Sequence, residues 1–157
     1  YHDLGLSYRK AVRAFADAGC RYIQLDEVNF TYLCDPALRQ QVKERGDDPD
    51  KLPHIYADVI NAAVSDVPAD MNIAMHLCRG NFQSTFVASG GYDPVAELAF
   101  GGIDVDALFL EYDSPRAGGF APLRYLGRDK VAVLALTAPR EPPLDVPQPL
   151  VAAMEVR

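Results

Sequence analysis

Hydrophobic and polar positions alternate between two periods along this chain. From Leu4 to Ala18 the apolar residues Leu6, Val12, Phe15 and Ala16 recur at helical spacing, with Arg9, Lys10, Arg13 and Asp17 off the stripe. Gly19 follows as a helix stop. Cys20 to Leu25 is β-branched and aromatic in character, which predicts a strand running into Asp26-Glu27. The aromatic stretch from Val28 to Pro36 predicts a loop, after which Asp35-Pro36 opens a helix to about Arg45: aspartate caps, and proline suits the first helical turn. Gly46 to Asp50 is a turn cluster. Pro53 to Ser65 predicts a helix with Ile55, Val59, Ile60 and Ala63 on its core face, and Asp66 to Asp70 a connector.

The second half repeats the scheme. Asn72 to Met75 predicts a short strand with His76 and Cys78 at its end, followed by a loop from Arg79 to about Gly91. Asp93-Pro94 starts a helix that ends near Phe100-Gly101-Gly102. Ala107 to Leu110 predicts a strand buried on both faces, ending at Glu111. A loop through Ser114 to Gly119 leads to a short helix over Ala121–Leu126, and Lys130 to Leu136 is the last clear strand. Four strands alternating with helices define an α/β protein of parallel βα units. The stretch 138–157 is a proline-rich tail, in which Pro139, Pro142, Pro143, Pro147 and Pro149 break regular structure.

Composition narrows the function. The chain has 157 residues and is 49% hydrophobic, enough for one domain with a real core. A net charge of −7 disfavours nucleic acid, which needs clustered basic surface. No apolar run approaches the roughly 20 residues of a membrane span. The start, Tyr1-His2-Asp3, lacks the basic and apolar pattern of a signal peptide, and Tyr1 in place of methionine is what an excised or incomplete chain would show. Cys20, Cys34 and Cys78 are odd in number and form no CxxC, which fits a reducing, cytoplasmic setting.

The chemistry concentrates at strand ends. Side chains two apart on a strand share a face, so His76 and Cys78 project together, as half of a zinc site would. Asp26 and Glu111 also fall at strand carboxyl ends, where parallel α/β folds place their functional groups. Cys20 and Cys34 read as structural, although Cys34 lies in a loop at the same rim. His2 and His54 read as surface residues.

Ile23-Gln24-Leu25-Asp26-Glu27, Met75-His76-Leu77-Cys78 and Leu110-Glu111-Tyr112-Asp113 together resemble the zinc-bearing barrel of cobalamin-independent methionine synthase. The similarity is greatest to its shorter bacterial relatives, the methionine synthase II-like proteins. Asp26 to Pro36, Cys78-Arg79-Gly80-Asn81-Phe82 and Ser89-Gly90-Gly91-Tyr92 strengthen the likeness, which extends over nearly all of residues 1–136. It implies about half of a TIM (βα)₈ barrel, in which a methyl group passes from a methyl-folate to homocysteine or a similar thiol. By the same resemblance His76, Cys78 and Glu111 are the Zn²⁺ ligands, and Asp26 holds the homocysteine amino group. Glu27, Arg79 and Arg116 are further substrate-binding candidates, the arginines toward folate glutamates. The family's second cysteine ligand has no counterpart after Cys78, and Cys34 is the local candidate to replace it. A related alkyl transfer to another thiol, or a barrel piece without activity, are the rival readings. A half barrel exposes edges and interior, so a homo-oligomer or a complementing barrel segment is expected.

Overall fold

The computed structural model describes residues 1–82 and 85–136, together with the backbone of Ala153–Met154. Helix α1 (His2–Asp17) leads into strand β1 (Tyr22–Glu27), and Gly19, at φ +95°, makes the turn between them. Helices α2 (Asn29–Tyr32), α3 (Pro36–Glu44) and α4 (Leu52–Val64) precede β2 (Asn72–Leu77). A small antiparallel hairpin, β3 (Asn81–Phe82) with β4 (Thr85–Phe86), follows. A π-helical turn, Glu97–Gly102, precedes β5 (Ala107–Glu111). Two 3₁₀ turns, Pro115–Ala117 and Ala121–Tyr125, lead to β6 (Val131–Ala135). A two-residue strand β7 (Ala153–Met154) runs antiparallel to β6.

The strand order is β1-β2-β5-β6-β7, and the first four strands are parallel. This is the partial (βα) barrel-like architecture that the alternating pattern implies. In register, Asp26 lies beside His76, His76 beside Phe109, and Glu111 beside Ala135. Alternation then sorts the strand residues onto two faces. Ile73, Met75, Leu77, Leu108, Leu110, Ala132 and Leu134 are buried against Val12, Ala16, Ile60, Val64, Val95, Ala99 and Phe100. Gln24, Asp26, His76, Phe109, Glu111, Val133 and Ala135 share the opposite face, where all are exposed or only half buried.

Several elements depart from the sequence reading. Strand β1 begins two residues later and includes Asp26 and Glu27, while β2 extends through His76 to Leu77. The loop expected over 28–36 contains α2, whose N-terminal N–H groups are capped by Glu27. Phe15, expected on the core face of α1, is 56% exposed. Its face is instead set by Gly5, Val12 and Ala16, with Gly5 so close to α4 that a Cβ would lie 3.0 Å from Ala62 Cβ. Strand β5, read as buried on both faces, alternates between half-buried and buried, because the described helices cover one side of the sheet only. The helix expected after Asp93-Pro94 is a π-turn rather than a regular α-helix. Of the proline-rich tail 138–157, only β7 lies within the described residues, and it places a strand where no regular element was expected.

Candidate metal centre

Strand β2 delivers His76 and the residue following it delivers Cys78, while β5 delivers Glu111 from the neighbouring strand end. One donor atom from each of His76, Cys78 and Glu111 lies within 4.8 Å of the other two. His76 Nε2 stands 3.3 Å from Glu111 Oε1, and His76 Nδ1 stands 3.2 Å from Asp26 Oδ1. The imidazole thus bridges two carboxylates. Its pKa is raised, chiefly by the hydrogen bond to Glu111, against the opposing effect of burial. For Glu111, burial pushes the pKa up, but the His76 and Arg116 charges and the Arg79 backbone N–H outweigh it and hold the carboxyl below its ordinary value.

The thiol is placed by backbone contacts. Cys78 N–H donates to Glu27 O at 2.7 Å, continuing the β1–β2 ladder one step past the strand. The Thr31 hydroxyl donates to Cys78 O, tying α2 to the strand end. Gly80 N–H donates to Cys78 Sγ at 3.3 Å, which fixes the direction of the side chain.

A second layer holds the carboxylates. Arg116 Nη2 lies 3.3 Å from Glu111 Oε2, and the same guanidinium grips Asp113 through two contacts of 2.8 and 3.1 Å. Gln24 Nε2 donates to Asp26 Oδ1 at 3.2 Å. Tyr92, with 0% exposure, accepts from Glu111 N–H at 3.2 Å and donates to Glu111 O at 3.4 Å.

The structure therefore brings His76, Cys78, Glu111 and Asp26 to one rim. Asp26 is largely open to solvent, its side chain 72% exposed. The other substrate-binding candidates are engaged within the chain. Both Glu27 oxygens cap α2, at 2.7 Å to Asn29 N and 2.9 Å to Phe30 N. Arg116 orients Glu111 and Asp113. Arg79 is fully buried, with its guanidinium 4.5 Å from the Tyr92 ring centroid and Nη1 donating to Gly90 O at 2.8 Å. Cys34 is buried, contacts Phe30 O, and is not among the gathered donors; burial pushes its thiol up to about 12. Sequence reasoning gave no role to Thr31, Tyr92 or Asp113, although all three lie in the stretches that carry the family resemblance.

The class that fold and site define is an α/β protein with a nitrogen–sulfur–oxygen donor cluster at the carboxyl rim of a parallel sheet. No family model matches the chain. It is 48% identical over 149 residues to the uncharacterized protein YxjH of Bacillus subtilis, covering 94% of this chain and 40% of that protein. It is 32% identical over 124 residues to the 5-methyltetrahydropteroyltriglutamate–homocysteine methyltransferase of Bacillus velezensis, covering 79% of this chain and 13% of that enzyme. A crystal structure from Listeria monocytogenes, provisionally described as a vitamin-B12-independent methionine synthase, superimposes with a TM-score of 0.63. It shares 44% identity and covers 83% of this chain and 35% of its own. The chain spans about two-fifths of the length of its more similar curated relatives, and it is homologous, more distantly, to cobalamin-independent methionine synthase.

Proposed function

We propose that this chain carries the metal centre of a zinc-dependent methyltransferase that moves a methyl group from a methyl-folate to the thiol of homocysteine. The observation that supports it is the His76–Cys78–Glu111 cluster. Ligands of a tetrahedral zinc at roughly 2.0–2.3 Å stand roughly 3.3–3.8 Å apart, so a cluster already within 4.8 Å needs only a small closure. The donor types fit, and three protein ligands leave a fourth position for a substrate thiol.

In this reading His76, Cys78 and Glu111 hold the ion. Bound zinc would supply Lewis acidity that keeps a substrate thiol deprotonated at neutral pH. Every other contribution comes from the chain itself. Asp26 accepts from His76 Nδ1 and so fixes the ring with Nε2 turned toward Glu111. Its exposed carboxylate also offers a partner to the ammonium of an amino-acid thiol. Arg116 aims Glu111, and its charge adds to the larger effect of His76 in holding that carboxyl below its ordinary value.

The partly exposed face bearing Phe109, Val133 and Ala135 suits a surface that another part of a barrel, or a second copy, covers in the working protein. Sedimentation of the purified chain reads which of these holds.

The test has two arms. Purified under reducing conditions, the chain is expected to bind zinc at about one equivalent and to lose it in Cys78→Ser and His76→Ala. Methyl transfer from methyl-folate to homocysteine is then assayed in the full-length protein. Absence of zinc overturns the reading. Homocysteine turnover unaffected by Asp26→Ala favours a different thiol.

A further inference from the structure

The most buried cation of the described chain sits directly after Cys78. Arg79 has 0% exposure, yet no carboxylate among the described residues pairs with it. A buried charge without an ion pair is costly unless the fold uses it. Its guanidinium lies against Tyr92, and Nη1 holds the Gly90 carbonyl. Nε and Nη2 have no hydrogen-bond partner.

Tyr92 in turn reaches across to β5. Its hydroxyl takes the Glu111 N–H and returns its proton to the Glu111 carbonyl, so both backbone groups of that residue rest on one side chain. The Arg79 backbone N–H also helps to hold the Glu111 carboxyl below its ordinary pKa. Gly90 closes the circuit, because its N–H donates to Arg116 O at 2.8 Å and Arg116 holds Glu111 Oε2. Two loops from neighbouring strands, one following Cys78 and one following Glu111, are thus pinned to each other through Arg79 and Tyr92.

We propose that Arg79 and Tyr92 are positioning residues that set the spacing between Cys78 and Glu111 in the donor cluster. This rests on the metal reading for its purpose, but not for its geometry. Arg79 works from inside the fold, behind the rim, rather than as a hand extended to an anionic substrate.

Tyr92→Phe tests it, since the ring and its stacking on Arg79 remain and only the hydroxyl goes. Two measurements are made on the full chain. In the metal-free protein, hydrogen exchange at the Glu111 amide, read by NMR, is expected to speed up about tenfold, while the Leu108 amide keeps its rate. Zinc affinity, read by competition with a chromophoric chelator, is expected to weaken about 10–100-fold, the usual effect of losing a residue that orients a ligand. Arg79→Lys, which cannot stack in the same way, is expected to weaken zinc in the same direction. Unchanged Glu111 exchange in Tyr92→Phe overturns the clamp. Faster exchange with unchanged zinc affinity overturns its role in spacing the donors. If the wild-type chain takes no zinc, the metal reading falls by itself and the exchange measurement still decides the clamp.

Discussion

Gly90→Ala should be among the most damaging single-methyl changes in the chain, and the reason can be worked from two separate terms. Gly90 has φ +119°, outside the range L side chains adopt readily, which costs about 1–3 kcal/mol for any other residue. A Cβ there would also lie 2.2 Å from the Cys34 carbonyl oxygen, a backbone atom that cannot swing aside. Relieving that overlap moves Gly90 away from Arg116 O and from Arg79 Nη1, two hydrogen bonds worth about 1 kcal/mol each. The sum is about 3–5 kcal/mol, a large part of the 5–15 kcal/mol a domain has. With a urea m-value of about 2 kcal/mol/M, the midpoint falls by about 2 M. Two controls separate the terms. Gly46 has φ +90° but nothing within 4 Å of its Cβ site, so Gly46→Ala should lose only the conformational cost. Gly119 has neither a positive φ nor a neighbour within 4 Å, so Gly119→Ala should be close to neutral. Urea unfolding of the three variants, followed by circular dichroism, gives the ranking. A Gly90→Ala midpoint within about 0.5 M of wild type, or no worse than Gly46→Ala, refutes the reasoning.

The remaining predictions concern the site. His76 has a raised pKa, so in the metal-free chain its ion pair stabilises fully below the ordinary value of 6.5 and the contribution is lost as pH climbs through the raised value. Glu111 is lowered, so the same pair also weakens as pH drops below the ordinary 4.5 toward its folded value. Urea midpoints across pH should therefore decline on both sides of this window, and His76→Gln should flatten the upper limb. Zinc competes with the His76 proton, so zinc affinity measured by chelator competition should rise with pH through that same upper limb. Cys34, buried and with its thiol pushed up to about 12, should resist iodoacetamide at pH 8, whereas Cys78 should react and be protected by zinc, as peptide mass spectrometry would show.

Much of the fold was legible because its signals are local. The Asp35-Pro36 start of α3 is visible in two residues, and the structure shows Asp35 Oδ1 taking the Ala37 and Leu38 N–H groups. The apolar runs of β2, β5 and β6 were equally plain. They misled at one point: the apolar run of β5 suggests two covered faces, and Phe109 lies on a face that no helix among the described residues covers. Short elements escaped for a related reason. Helix α2 is four residues long and is held by Glu27 and Thr31 contacts, so no periodicity announces it.

The donor cluster was legible as residue types at strand ends, since strand register alone brings Asp26, His76 and Glu111 to one rim. What surrounds it was not. Arg79 follows a site strand and carries charge, which in sequence suggests a hand for anions, but a neighbouring tyrosine 13 positions later draws it inward. Glu27 likewise looks like a site carboxylate, and only the backbone of α2 shows that its oxygens are already occupied. Tertiary partners decide such residues, and no short-range pattern encodes them.

X-ray absorption at the zinc edge of the zinc-loaded chain tests the central claim most directly. A single sulfur at about 2.3 Å with nitrogen and oxygen at about 2.0–2.1 Å is expected, with the sulfur shell lost in Cys78→Ser. A metal surrounded only by light atoms in the wild-type chain, or a sulfur shell that survives that substitution, contradicts it.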